Sequence, residues 1–283
     1  MATDPEVLVM GAVAYDPKVV TIWDGFRRWF AAQDLAFDYL LYSHYERQVE
    51  DLMCGRIQAA WNSPLAWVRA RRLGARGPGV RALAMRNTDR DLTSVIVVGR
   101  DSPVATLGDL AGKVVATGAV DSPQANLLPL GLLRQAGVEV EVRRFDIGVG
   151  LHGDHIGGER DAARALVAGQ VDAACMIDAN HLAFTREGIL GPGGTRIVAQ
   201  TQPFDHCNMT VVDSAPAGLV ARFGELLLAM DYADPEVRRL LDLEGLTRWV
   251  DGRVSGYDQL ERAVDQVHFY DPNGEVTAAD YHP

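Results

Sequence analysis

Disulfide pairing, excess positive charge and the common phosphate-gripping strings are all missing from this sequence, and each absence removes a class of function. The 283 residues hold three cysteines, Cys54, Cys175 and Cys207, too few and too scattered for a disulfide framework, and the odd count leaves at least one free thiol. A reducing compartment is the expectation. With 27 Lys and Arg against 38 Asp and Glu, the formal net charge is −11, which repels nucleic acid and acidic membrane surfaces. The basic run Arg69, Arg71, Arg72, Arg76 is the local exception and reads as a solvated helix face. No Gly-x-x-x-x-Gly-Lys-Ser/Thr string, no Gly-x-Ser-x-Gly and no dinucleotide fingerprint occurs in the right context, so nucleotide hydrolysis and serine-hydrolase chemistry lose their support. Export signals are missing as well. Met1-Ala-Thr-Asp-Pro leads directly into the apolar run Val7 to Val13, without a basic region, a long apolar region or a small-residue cleavage site. That predicts a cytoplasmic chain, with a periplasmic or extracellular one left open if the sequence is a trimmed mature form.

What is present is a globular composition, 48% hydrophobic and 23% charged, with length enough for two lobes that each bury a core. Membrane insertion is not expected. The run Val7 to Val13 reads as a strand, and Val20, Trp23, Phe26 and Phe30 follow at helical spacing. Phe37 to Tyr42 is a second strand, Tyr45 to Met53 a helix closed by Gly55, and Ile57 to Trp61 a third strand. This alternation predicts an α/β protein with parallel pairing. The polar stretch 86–93 sits between the β-rich segments Val80 to Met85 and Ser94 to Val98, and is placed as a first passage between lobes. A second α/β unit follows: Val114 to Gly118, a helix from Ala125 to Gln135, strand Val138 to Asp146, helix Glu159 to Ala168 and strand Val171 to Ile177. After Thr195 to Gln200 the chain returns through 201–207, and helices over Leu219 to Met230 and Pro235 to Leu241 complete the first unit. The expected organisation is a discontinuous lobe 1, residues 1–88 plus 205–283, and a lobe 2 of residues 89–204.

Three strings carry a family resemblance. The stretch from Tyr45 through the Gly55 stop and the strand to Asn62-Ser63-Pro64 is similar to the phosphonate and phosphite substrate-binding proteins of ABC transporters. Leu107-Gly-Asp-Leu-Ala-Gly-Lys-Val-Val-Ala with the Asp121 loop resembles that family's second-lobe opening, and Arg160 to Ala174 its helix-Gly-strand repeat. The resemblance spans most of the chain and implies a two-lobed type II periplasmic-binding fold that closes around a small polar, anionic molecule. An ABC permease is the implied partner if the chain is exported. One departure is chemical: Asp121-Ser122-Pro123-Gln124 stands where the family carries a Ser/Thr-rich loop, and puts a carboxylate where a phosphonate oxygen would sit. The lacking export signal is another, and brings in the cytoplasmic dehydratases, decarboxylases and pyrimidine synthases that share the fold.

In such a fold the ligand lies where strands end and helices begin, because helix N-termini offer unpaired N–H groups and partial positive charge. The candidate ligand contacts are therefore Tyr15, Tyr45, Asn62, Ser63, Asp121, Ser122, Gln124, His155 and Asp178. Ser63, Ser122 and Asp178 are equally readable as helix caps. The string His152-Gly-Asp-His155-Ile-Gly-Gly-Glu159 packs two imidazoles and two carboxylates before a helix, and Asp205-His206-Cys207 lies in the return passage. Two further readings follow. His155, Glu159 and His206 could serve as acid, base or metal ligands of a lyase, decarboxylase or isomerase, and His152, His155, His206 and Cys207 could converge on a divalent metal. His44, His181, His268 and His282 read as structural or surface residues.

Overall fold

The computed structural model describes residues 7–146 and 155–282. Two sheets organise them. The first has the strand order β11-β4-β10-β3-β1-β2, built from β1 (Leu8–Val13), β2 (Phe37–Tyr42), β3 (Ala59–Asn62), β4 (Val80–Arg86), β10 (Asn208–Val212) and β11 (Trp249–Asp251). The second has the order β7-β6-β8-β5-β9, from β5 (Ser94–Gly99), β6 (Val114–Thr117), β7 (Glu141–Arg144), β8 (Ala173–Ile177) and β9 (Thr195–Gln200). The chain therefore passes between sheets over residues 87–93 and again over 201–207.

The expectation of all-parallel pairing is corrected. β1 pairs in parallel with β2 and β3, and β6 with β7 and β8, but β10 is antiparallel to β3 and β4, and β5 to β8 and β9. The reason is connectivity. A strand that enters its sheet from the lobe boundary must run opposite to strands that lead toward it, and β5, β10 and β11, the last antiparallel to β4, all start there. The result places the carboxyl ends of β1, β2, β3 and β4 on one side of the boundary and those of β6, β7, β8 and β9 on the other.

The helices are α1 (Lys18–Ala31), α2 (Tyr45–Met53), α3 (Pro64–Gly74), α4 (Leu128–Gln135), α5 (His155–Val167), α6 (Asp178–Arg186), α7 (Ala217–Leu228), α8 (Pro235–Glu244) and α9 (Asp258–Val267). In α1, Val19, Ile22, Trp23, Phe26 and Phe30 are all buried, the i, i+3, i+4 stripe of a helix lying on a sheet. They join Phe37, Trp61, Phe223 and Trp249 in an aromatic-rich core, with Trp249 edge-on to Trp61 at 5.5 Å between centroids. The helix expected from Ala125 begins earlier, as a π turn over Pro123–Leu127 that runs into α4. Strand β7 is shorter than the expected Val138 to Asp146.

Another core cluster belongs to neither sheet alone. Leu65 and Val68 of α3, Leu127 and Leu128 at the start of α4, Phe204 of the return passage, and Leu260, Ala263, Val264, Phe269, Tyr270 and Tyr281 pack together. The segment from α9 to Tyr281 thus touches both units. Arg71 and Arg72 of α3 pair with Glu261 and Asp265 at 2.6 and 2.7 Å, while Arg134 of α4 donates to the carbonyl of Gln266 at 2.8 Å. Asp280 pairs with Arg144 of β7. The reading of Arg69 to Arg76 as a solvated face is corrected here: Arg69 is 4% exposed and donates to the carbonyls of Gly274 and Glu46.

Candidate functional site

The two crossovers lie side by side. The Leu92 and Phe204 backbones exchange hydrogen bonds at 2.9 and 2.8 Å, the His206 N–H donates to the Asp89 carbonyl at 2.8 Å, and Thr201 N–H donates to Ser94 O at 2.9 Å. Arg253 holds this ribbon from behind, giving both Asp205 oxygens a hydrogen bond at 2.6 Å and reaching Asp91 at 2.6 Å. Gly256 is required there, since a Cβ would stand 2.1 Å from the Asp205 carboxyl carbon. Asp205 is consequently a structural anchor.

In front of the crossovers, side chains from both units come within electrostatic reach. Burial pushes the Tyr15 phenol up to about 12, with the Glu244 carboxylate adding to it and Arg86 opposing, although two-fifths of the residue is exposed. Burial also drives Tyr45 well above its ordinary value, and the next contributions come from Cys207, Tyr15 and Asp121. Tyr15 follows β1, Tyr45 opens α2 and Asp121 precedes the π turn of the other unit, and both Tyr15 and Asp121 act electrostatically on Tyr45. Tyr281 joins them: its phenol is raised by burial, then by Glu46 and Asp121.

Arg86 and Glu244, which both act on Tyr15, belong to an ionic centre that the sequence reading missed. Arg86, the last residue of β4, gives Asp89 a two-pronged contact at 2.6 and 2.8 Å, reaches Glu244 Oε1 at 3.4 Å and lies 5.3 Å over the Trp61 ring. Asp89 and Glu244 are 2% and 5% exposed. Burial works to raise both carboxyls, but the fork from Arg86 holds Asp89 below its usual value, whereas Glu244, at the longer distance, rises to about 7. His206 Nδ1 stands 3.1 Å from Cys207 Sγ and 3.6 Å from Asp89 Oδ1. Burial, reinforced by Asp89, pushes the Cys207 thiol up.

Asn62 is fully buried and belongs to a relay of hydrogen bonds. Gln48 Nε2 donates to Asn62 Oδ1 at 2.8 Å, Asn62 Nδ2 to Thr210 Oγ1 at 2.8 Å, and Thr210 Oγ1 to Asn208 Oδ1 at 2.7 Å. Asn208 Nδ2 then donates to the Tyr257 hydroxyl at 2.9 Å, which donates to the His206 carbonyl at 2.7 Å. The relay links α2 to the return passage through buried groups that each need a partner.

Ser63 and Ser122 both act as caps, accepting from the N–H groups of Ala66 and Ala125 at 3.2 Å. Gln124 Nε2 donates to Glu159 Oε1 at 3.2 Å, and Glu159 Oε2 accepts from Ile177 N–H at 3.0 Å and Asn180 Nδ2 at 2.8 Å. Glu159, with no solvent exposure, therefore braces the π turn and α6 against α5. Asp178 accepts from Thr93 Oγ1 at 2.8 Å, and Thr93 accepts from Gln200 Nε2 at 2.8 Å, so this candidate sits on the crossovers. His152 lies outside the described residues, and the His155 side chain is likewise outside them. The metal set expected from His152, His155, His206 and Cys207 is thus represented by His206 and Cys207, which meet Asp89 instead. His181 donates or accepts at Thr195 Oγ1, 2.9 Å away, and His268 forms the left-handed cap of α9.

Two α/β units on a double crossover, with strand ends and helix starts facing across the boundary, define a two-lobed binding fold of the type II periplasmic class. Solved structures agree on the fold. PhnD1 from Prochlorococcus marinus, in complex with methylphosphonate, superposes with a TM-score of 0.68 at 17% identity, covering 94% of this chain and 99% of that one. XAC2383 from Xanthomonas citri, bound to ATP, gives 0.68 at 20% identity, covering 93% and 98%. The periplasmic aliphatic sulphonate-binding protein SsuA from Escherichia coli gives 0.53 at 18%, covering 93% and 84%. A family model described as ABC transporter, phosphonate, periplasmic substrate-binding protein matches residues 12–257, and the chain belongs to that family. Among the described residues no helix is long and apolar enough to cross a membrane.

Proposed function

We propose that this protein binds a small anionic molecule between lobe 1, residues 1–88 plus 205–283, and lobe 2, residues 89–204. The observation that carries the reading is the strand direction. β1, β2 and β3 all lead into helices at the boundary, and β6 leads into the π turn of the opposite unit, so helix N-termini from both sides face one cleft. A helix N-terminus carries partial positive charge, which suits an anionic oxygen cluster. Tyr15 and Tyr45 supply phenols held protonated, hence donors at any physiological pH. Of the neighbours named above, PhnD1 is in complex with methylphosphonate, XAC2383 is bound to ATP and SsuA is an aliphatic sulphonate-binding protein, and the chemistry these molecules share is a tetrahedral oxyanion.

Delivery to an ABC permease is the corresponding partner role, and it requires the protein to work outside the cytoplasm. Fractionation of cells expressing the gene with its natural start decides between that role and a cytoplasmic one. The binding reading itself is tested by calorimetric titration with methylphosphonate, inorganic phosphate, an alkanesulfonate and ATP. At least one is expected to bind at micromolar levels and to lose about tenfold or more in affinity on Tyr45→Phe, by the loss of a donor to a charged group. No binding of any of the four at millimolar concentration would sink the proposal.

A further inference from the structure

We propose that Asp89, His206 and Cys207 form a binding site for a zinc-class divalent cation that ties the two interlobe crossovers together. One oxygen, one nitrogen and one sulfur from these residues lie within 4.8 Å of one another. The nitrogen is 3.1 Å from the sulfur and 3.6 Å from the oxygen. Metal–ligand bonds of about 2.0–2.3 Å in a tetrahedron give donor separations of about 3.3–3.8 Å, so these groups stand within a few tenths of an ångström of a coordinating arrangement on two edges. The donor set, a thiol, an imidazole and a carboxylate, selects zinc over magnesium or calcium, which prefer all-oxygen cages.

The surroundings fit as well. Asp89 is held by both nitrogens of the Arg86 fork, the kind of outer support that orients a coordinating carboxylate. Asp89 by itself balances that guanidinium, which also reaches Glu244, so no net positive charge repels a cation. Asp89 belongs to the first crossover, His206 and Cys207 to the second, and the backbone already joins them through His206 N–H and Asp89 O. Binding converts the Cys207 thiol to a thiolate bonded to the metal and releases its proton to solvent, with no change of oxidation state. His206 coordinates through Nδ1 and keeps its proton on Nε2. Three protein donors leave one tetrahedral position, filled by water. This site is independent of which anion the cleft takes.

The test uses the full chain with any affinity tag removed, stripped with a chelator and titrated with Zn²⁺ and Co²⁺ alone. One equivalent of Zn²⁺ is expected to bind at micromolar or lower concentration, to raise the melting temperature, and to release about one proton. Co²⁺ is expected to show thiolate-to-metal absorption that Cys207→Ser abolishes and Cys54→Ser leaves intact. His206→Gln is expected to weaken Zn²⁺ at least about tenfold, and circular dichroism of each metal-free variant separates this from misfolding. Absence of stoichiometric binding, loss of the cobalt thiolate band in Cys54→Ser, or full affinity in His206→Gln would each overturn the proposal.

Discussion

Glu244 gives the sharpest handle on the electrostatics of the cleft wall. Its carboxyl is buried beside an arginine whose fork is already committed to Asp89, and whose NH1 donates to the Glu244 carbonyl at 2.8 Å as well as reaching its side chain at 3.4 Å. The attraction available to Glu244 is therefore the weaker share, and burial raises it from 4.5 to about 7. At about 1.4 kcal/mol per pH unit, a shift of that size is worth about 3 kcal/mol. The folded state keeps a proton that the unfolded state has released, so this group's contribution to stability falls as pH rises from about 4.5 to about 7 and is level above that. Glu244→Gln removes the titration while keeping an oxygen for Arg86. Urea unfolding of both proteins at pH 5 and pH 8, with chelator present, should show the variant gaining about 2.5 kcal/mol on the parent between the two conditions, or about 4 °C in melting temperature. If the two stability profiles run parallel across that interval, Glu244 titrates as an ordinary carboxyl and the account of a shared arginine fails.

Three further outcomes follow from the packing. Glu159→Ala strands the donors of Gln124, Ile177 and Asn180 in a buried site and should cost about 3–5 kcal/mol by urea unfolding, at about 1–3 kcal/mol per orphaned group; a cost under about 1 kcal/mol would show that it is no brace. Ser122→Ala should lose about 1 kcal/mol of stability as a removed cap, and an unchanged affinity for the cleft's anion would assign Ser122 to capping alone. Arg69→Met frees the carbonyls of Gly274 and Glu46 and should expose the 268–282 segment to limited proteolysis, with a stability loss of about 2–4 kcal/mol; protease resistance equal to the parent's would mean the tail is held elsewhere.

How much of this could be read from the chain depended on the range of the interactions. The alternation of strands and helices over Val7 to Asn62, the two sheets and the crossing segments are written in local periodicity and turn residues, and the structure follows them closely. The antiparallel runs of β5 and β10 were not legible, because a strand's direction in its sheet is set by where the chain enters, which periodicity does not carry. Helix α9 has an apolar stripe of Leu260, Ala263 and Val264, a visible signal that the reading passed over.

The site divides along the same line. Tyr15, Tyr45 and Asp121 could be picked out as candidates because a strand-end loop is a local feature, and parallel strands bring such loops to one edge. Arg86 and Asp89 lay inside the polar stretch already placed as a crossover, where two opposite charges three residues apart were the signal to follow. Glu244 had none: it ends an amphipathic helix like many glutamates, and its burial arises only when α8 closes over the end of β4, far away in sequence. Ser63 and Ser122 spend their hydroxyls on helix N-termini, accepting from the N–H groups of Ala66 and Ala125. Serines at strand ends are drawn to the nearest orphan donors, so on the binding proposal longer side chains such as Tyr45 are where substitutions should move affinity most.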